Sequence, residues 1–283
     1  MEIRINGKTA NITLDKEKNI GEVMVGLEQW VAVSGHRLSG FSIDGESVSA
    51  SQIEDVFSKE IDGVKTLDIS TSSIAELSAI SLTSILDDID EFEKLQFEDK
   101  KNFFNEWKER VQVKFITEQI PEILPLCVNT FFQGELHPDI LRSVVEEMLR
   151  EVNDPVNEFA NIEPLLNETC ERLINLPLDI QTGKDAQAAQ TIQVFSGISE
   201  KILRLLRQLN IQGFLPQIDD EKPFIKLIKE FGNVVKELLE AYEKHDTVLI
   251  GDLAEYETSP KLKELFTVIM NESRKTAEAQ GKK

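Results

Sequence analysis

Residues 245–257 alternate between apolar and acidic side chains and join two segments that have helical periodicity. Two interpretations of this stretch are open. In the structural interpretation, which the apolar pattern favours, four large side chains pack back onto the neighbouring helices: Val248, Leu249, Leu253 and Tyr256. In the functional interpretation, an acidic face with one aromatic ring binds a protein partner through four residues: Asp252, Glu255, Tyr256 and Glu257. These last four are the candidate partner-binding residues of the chain.

Sequence motifs that would indicate catalysis or metal binding fail at defined positions. The Gly-Lys pair at 183–184 is followed by Asp185, where a phosphate-binding loop requires Ser or Thr. The acid-rich segment 87–93 fails as a calcium loop starting at Asp88, because Glu93 occupies the position that needs glycine. Its pattern indicates a solvated helix end instead. The three histidines are far apart in sequence, so we assign no catalytic residue, no metal ligand and no cofactor.

The overall charge limits the kinds of partner. The 283 residues contain 51 Asp and Glu against 31 Lys and Arg, which gives a formal net charge of −20. Such a surface repels nucleic acid and anionic membranes, and no apolar run in the sequence approaches the ~18 residues of a membrane span. We therefore predict a cytoplasmic protein with a protein partner, no nucleic-acid partner and no membrane insertion. The basic residues that could form a local patch are expected to lie on solvated helix faces: Lys100, Lys101, Lys108, Arg110, Arg204 and Arg207.

The first part of the chain has the order of elements of a small sheet packed on one helix. Asn6-Gly7 and Asp44-Gly45 are turn signals, because these residue types tolerate positive φ. Asn19 is a suitable N-cap for a helix with one apolar stripe: Ile20, Val23, Met24, Leu27, Trp30 and Val31. The predicted elements are a hairpin over 2–15, a helix over 20–34 ended by Gly35, strands within 37–48, a helical turn over 51–57 and a strand over 65–69.

This order of elements resembles the β-grasp, or ubiquitin-like, fold over about residues 1–70. Members of that fold that act as carriers or conjugated modifiers end in an exposed Gly-Gly. Here the last strand runs into residues 70–73 and then into a helix. The resemblance therefore implies a scaffold or binding module over residues 1–72.

The remaining residues, 73–283, have helical periodicity throughout. Ser73 and Glu76 fit a capping box at the start of this part. Long apolar stripes over 192–209 and 224–242 predict an antiparallel helical hairpin inside a bundle, with a subdivision of the bundle near 177–190.

Four short segments within residues 175–270 resemble an uncharacterised helical domain family of bacterial proteins: 179–185, 191–196, 239–244 and 248–257. The resemblance implies a bacterial cytoplasmic protein with a helical fold, and it implies no particular reaction.

Together these features predict an α+β protein in which a β-grasp-like module precedes an all-α helical bundle. The favoured function is that of a non-enzymatic interaction, scaffold or adaptor protein, of which a chaperone for a larger bacterial assembly, such as secretion or motility machinery, is one form. The alternative is an enzyme whose site is assembled from scattered carboxylates of the helical half. The oligomeric state is left open.

Overall fold

The computed structural model describes residues 1–14, 16–49, 52–215 and 223–281. The chain forms two compact units, Met1–Ser81 and Leu82–Lys283. The first contains a small sheet and one long helix, and the described part of the second is built from helices, which confirms the predicted α+β class. The boundary predicted at residues 72–73 and the subdivision near residues 177–190 stay predictions.

The sheet of the first unit has the topology of the β-grasp fold. Its strands in the described residues are β1 (Glu2–Ile5), β2 (Lys8–Thr9), β3 (His36–Ile43), β4 (Glu46–Ser47) and β5 (Thr66–Ser73). Their order is β2-β1-β5-β3-β4, with β1 and β5 parallel and the other neighbours antiparallel. Parallel neighbours need a long crossover, and the chain between them forms α1 (Ile20–Val33) and α2 (Ile53–Phe57). The predicted β-grasp arrangement is therefore confirmed.

Two tight turns connect the antiparallel strands at the sheet edges. The φ angles are 48° and 76° at Asn6-Gly7, and 51° and 88° at Asp44-Gly45. Positive φ at both central residues defines the hairpin turn that these residue types adopt at least cost. The first hairpin is shorter than predicted, since β2 ends at Thr9. Residue 15 of the predicted hairpin and residue 51 of the predicted helical turn lie outside the described residues.

Helix α1 is capped and buried as its sequence predicts, with one exception. The Asn19 side chain accepts a hydrogen bond from the Glu22 amide at 2.9 Å, and Gly35, with φ of 74°, follows the helix end. Five residues of the predicted stripe are buried: Ile20, Val23, Met24, Leu27 and Val31. The prediction is wrong for Trp30, which is 61% exposed. At about 100° of rotation per residue, Trp30 lies at the edge of the stripe, whereas Val31 lies near its centre.

Helix α3 (Ile74–Lys94) begins in the first unit and continues in the second. Its predicted capping box is confirmed, because Glu76 accepts from the Ser73 amide at 2.7 Å and the Ser73 hydroxyl accepts from the Glu76 amide at 3.1 Å. The later helices are α4 (Phe97–Trp107), α5 (Val111–Gln119), α6 (Ile123–Cys127), α7 (Pro138–Asn153), α8 (Pro155–Asn161), α9 (Glu163–Gln181), α10 (Asp185–Ile211), α11 (Pro223–Glu243), α12 (Thr247–Asp252) and α13 (Ser259–Gly281). A first π-helical turn, Val128–Gln133, follows α6, and a second, Leu253–Thr258, follows α12.

Helices α8 to α13 share one hydrophobic core. Within it, α10 packs most extensively against α9, whereas α11 packs against the second π-helical turn, α12 and α13. The hairpin predicted between residues 192–209 and 224–242 is therefore wrong in its pairing. Only residues 182–184 separate α9 from α10, and short connections make consecutive helices neighbours. The connection from α10 to α11 is longer, and its residues 216–222 lie outside the described residues.

Candidate partner-binding surface

Helix α12 and the second π-helical turn carry all four candidate partner-binding residues. Asp246 caps α12 by accepting a hydrogen bond from the Leu249 amide at 3.1 Å. Asp252 closes α12, and the other three candidates follow in the π-helical turn; all four are exposed. The structure therefore brings the four residues together on one solvent-facing stretch of helix.

The π-helical turn explains why three consecutive residues face solvent. Leu253 and Ala254 are buried, residues 255–257 are exposed, and Thr258 and Ser259 are buried again. A π-helix closes its hydrogen bonds one residue later than an α-helix, and here the Ser259 amide donates to the Ala254 carbonyl. The additional residue is accommodated on the exposed side. Turns of this type occur frequently at functional sites.

The structural interpretation of this stretch is wrong for three of its four residues. Leu253 packs into the core, but Val248 is 71% exposed, Leu249 44% and Tyr256 66%. Contiguous exposed apolar side chains rimmed by polar ones are a mark of interaction sites. With the neighbouring acids they form a surface that we name the acidic ridge: Val248, Leu249, Asp252, Glu255, Tyr256 and Glu257.

The carboxylates of the acidic ridge differ in how far they are neutralised. Glu257 lies 3.9 Å from the Lys261 amine, which also contacts Glu230 at 3.3 Å. Asp252 and Glu255 form no ion pair with any described residue. A hydrogen bond to Glu255 and the charge of that carboxylate raise the pKa of Tyr256. The ridge thus offers two unneutralised carboxylates beside an exposed aromatic ring.

A close backbone contact holds α12 against α9. A Cβ atom at Gly251 would lie 3.1 and 3.2 Å from the Cγ and Cβ atoms of Pro177. Gly251 is buried, and Pro177 lies inside α9. Because the proline ring cannot swing away as a long side chain does, the absence of a side chain at Gly251 permits this approach.

We expect Gly251→Ala to lower the free energy of unfolding by about 1–3 kcal/mol, because the added methyl group overpacks the contact with Pro177. Urea unfolding followed by circular dichroism measures the change. Gly197→Ala is the control, since Gly197 in α10 has open space around its Cβ position and alanine favours a helix by up to about 1 kcal/mol there. Equal stability of the two variants would contradict the close contact.

Thr258, at the end of the second π-helical turn, has a buried hydroxyl without a hydrogen-bond partner among the described residues. An unsatisfied buried hydroxyl costs about 1–3 kcal/mol, so we expect Thr258→Val to raise the free energy of unfolding by about 1 kcal/mol. Thr130, in the first π-helical turn, is the matched control because its hydroxyl donates to the Leu126 carbonyl at 3.0 Å. Urea unfolding should show no gain for Thr130→Val, and a loss for Thr258→Val would refute this explanation.

The acid-rich segment 87–93 lies at the end of α3 with most of its acids exposed, so its prediction as a solvated helix end is wrong only for Asp88. Asp88 is buried, accepts a hydrogen bond from the Trp107 indole at 2.8 Å and pairs with Arg110. Burial raises the pKa of Asp88, and the charge of Arg110 opposes that rise. Arg142 of α7 pairs with two further acids of the segment, at 2.6 and 3.0 Å. The segment therefore ties α3 to neighbouring helices.

A second buried ion pair links α7 to α10. Arg204 donates its Nε and Nη2 hydrogens to the two carboxylate oxygens of Glu151, at 3.0 Å each. The side chains are only 14% and 2% exposed, respectively, so the expected solvated face is wrong for Arg204. Arg207 is half-buried and pairs with Glu122 at 3.2 Å. These two arginines hold helices together.

The buried carboxylates of the described residues are each paired with a cation. The pairs are Asp88 with Arg110, Glu151 with Arg204, and Asp179 with Lys184. The described ranges contain no group of three or more His, Cys, Asp or Glu residues arranged to hold a metal ion. Ion pairing therefore accounts for the burial of these acids.

The chain is an α+β protein in which a β-grasp domain precedes a helical domain, and the helical domain carries the exposed acidic ridge. Residues 1–73 match the family described as the TP0873 N-terminal domain, and residues 157–268 match a domain of unknown function, DUF8042. The second match confirms the predicted resemblance of residues 175–270 to an uncharacterised helical family. The acidic ridge lies within its range.

An uncharacterised protein of Treponema pallidum (strain Nichols) is similar to this chain, with 30% identity over 80 residues. The aligned segment covers 28% of this chain and 40% of that protein. No solved structure matches the chain. Across the parts of the chain that the structure describes, no helix combines the length and apolar character needed to cross a membrane.

Proposed function

We propose that this chain is a protein-binding scaffold or adaptor whose partner docks on the acidic ridge. The observation that carries the proposal is the exposure of Val248, Leu249 and Tyr256 beside carboxylates that have no cation of their own. On the same stretch Leu253 and Ala254 are buried, so the exposed apolar side chains and the acids share the side that faces away from the core.

Tyr256 is the expected anchor of the interface. Tyrosine is enriched among the few residues that carry most of the binding energy of protein interfaces, because it buries a large ring and keeps a polar hydroxyl at its tip. The acids around it would form the polar rim of the contact. Val248 and Leu249 would extend its apolar centre.

The partner is expected to carry basic residues around an apolar pocket. Asp252 and Glu255 are unneutralised, and the whole chain has a net charge of −20. A negative field of this kind speeds the encounter with a positively charged partner and suppresses acidic ones. Binding should therefore weaken as the salt concentration rises.

Affinity capture from cells of the source organism tests the proposal. The bait is the full chain, compared with the double variant Asp252→Lys, Glu255→Lys. The control is Glu106→Lys, Glu118→Lys, which makes the same charge change at exposed positions of α4 and α5. We expect one set of proteins to bind the wild type and the control and to be lost from the ridge variant. Equal recovery by all three baits, or no recovery by the wild type, would overturn the proposal.

A further inference from the structure

A cavity of about 360 Å³ lies where the ends of α9 and α11 meet the starts of α10 and α12. Its apolar lining comes from Ile180, Ala188 and Ile250, of which the last two are buried. Helix α12 contributes Thr247 and Ile250 to the cavity, while Val248, Leu249 and Asp252 of the same helix belong to the ridge. The cavity therefore shares no lining residue with the acidic ridge.

Four polar side chains line the rest of the cavity: Asp185, Tyr242, His245 and Thr247. Asp185 and His245 are exposed, whereas Tyr242 and Thr247 are half-buried. An apolar floor with a few convergent polar groups is the usual composition of a small-molecule site. The four groups belong to three different helices and one turn, so the fold, and not a single helix terminus, brings them together.

The charge of the lining selects the class of ligand. Among the described residues, no lysine or arginine lines the cavity, and Asp185 forms no ion pair with any of them. A carboxylate and an aromatic ring attract an organic cation, the ring through its negative π-face. An anionic ligand would meet repulsion from Asp185 and would find no fixed positive charge.

The volume sets the size of the ligand. A water molecule occupies about 30 Å³ in the liquid, so 360 Å³ corresponds to roughly a dozen non-hydrogen atoms. The three apolar side chains of the floor match a ligand with a short hydrocarbon or aromatic body.

His245 occupies a position where glycine would be the ordinary residue. It follows the end of α11 with φ of 54°, and its amide donates to the Tyr242 carbonyl at 3.1 Å. A side chain in this left-handed conformation costs about 1–2 kcal/mol relative to glycine. The imidazole lies at the cavity in spite of that cost.

We propose that this cavity binds a small organic cation, a primary amine with a short apolar body, with Asp185 as the counter-ion and Tyr242 as the aromatic wall. A wider groove of about 710 Å³ between α9 and α10 is a weaker candidate. Four of its five charged side chains are paired with one another, Arg172 with Glu168 at 2.7 Å and Lys184 with Asp179 at 3.3 Å.

Ligand-observed NMR and calorimetric titration of the full chain test this site with two probes of one shape and opposite charge, 2-phenylethylamine and phenylacetate. The variant Asp185→Asn removes the counter-ion at an exposed position and keeps the side-chain shape. Asp252→Asn is the control, since it removes one carboxylate from the acidic ridge and leaves the cavity intact. Circular dichroism confirms that both variants fold.

The site is supported if the amine binds the wild type and Asp252→Asn equally, if phenylacetate does not bind, and if Asp185→Asn weakens amine binding at least tenfold. It is overturned if the amine does not bind the wild type, if Asp185→Asn leaves its affinity unchanged, or if phenylacetate binds as well. Capture of a protein by the ridge is a separate measurement, so the two proposals fail independently.

Discussion

Replacement of Arg204 by alanine is expected to lower the free energy of unfolding by about 3–5 kcal/mol. The Glu151 side chain, only 2% exposed, would lose both hydrogen bonds from Arg204 and would keep only Lys201, 4.0 Å away, as a cation. Urea unfolding followed by circular dichroism measures the loss. Lys236→Ala is the control: Lys236 is 77% exposed and pairs with Glu240 in solvent at 3.8 Å, and such pairs contribute at most about 1 kcal/mol.

The same variant should also respond to pH in a defined direction. Burial raises the pKa of Glu151, and the hydrogen bonds from Arg204 oppose that rise, so their removal should raise the pKa further. A carboxyl with a higher pKa in the folded than in the unfolded state binds more protons when folded, and stability is then gained as pH falls. The stability deficit of Arg204→Ala relative to the wild type should therefore shrink as the pH falls through the raised pKa of Glu151. A constant deficit would contradict the role given to Glu151.

A double variant tests whether the loss of stability in Arg204→Ala comes from the Glu151 charge or from lost packing. Glu151→Leu combined with Arg204→Met replaces both charges by apolar side chains of similar size. Because no unpaired charge is left behind, the double variant should be more stable than Arg204→Ala alone. If the double variant were the less stable of the two, the destabilisation would have to come from lost packing.

Tyr256→Ala is expected to weaken binding of the captured partner by at least thirtyfold, or about 2 kcal/mol, the loss typical of a central interface residue. The stability of the chain should change by less than about 0.5 kcal/mol, because the ring is 66% exposed. Calorimetric titration measures the affinity, and urea unfolding measures the stability. Val111→Ala removes another well-exposed side chain, at the start of α5, and should leave both values unchanged. A loss of stability that matched the loss of affinity would assign Tyr256 to packing.

Local signals in the sequence are sufficient to predict the turns and the capped helix of the first unit. Its turns depend on residue types that accept positive φ at Asn6-Gly7 and Asp44-Gly45, and its helix on the cap at Asn19. Periodicity also placed the buried stripe of α1, although it could not separate Trp30 at the edge of the stripe from Val31 at its centre.

Long-range pairing could not be predicted in the same way. Nothing in the segment 87–93 shows that Arg110 and Arg142 will reach its acids, or that Arg204 will be buried against Glu151. Each of these contacts joins residues of different helices, and the sequence records no distance between helices. The choice of α9 rather than α11 as the neighbour of α10 depends on the same missing information.

Local features of the sequence explain why its periodicity does not predict the exposed apolar side chains of the acidic ridge. Residues 248–250 are all apolar, and a run of three does not show which side of a short helix faces the core. The π-helical turn then moves the buried positions from Leu253 and Ala254 to Thr258 and Ser259, a spacing that an α-helical pattern does not anticipate. One signal was present, however, since Glu255 and Glu257 flank Tyr256 and charged residues are rarely buried without a partner.

Site-specific photo-crosslinking in cells of the source organism tests whether the acidic ridge is a docking surface for a protein. A benzophenone amino acid is placed at Tyr256 and, in a second protein, at Val111, which is 78% exposed on another helix of the same unit. We expect one discrete protein adduct from position 256 and none from position 111. No adduct at position 256, or the same adducts from both positions, would show that the acidic ridge is not a docking surface.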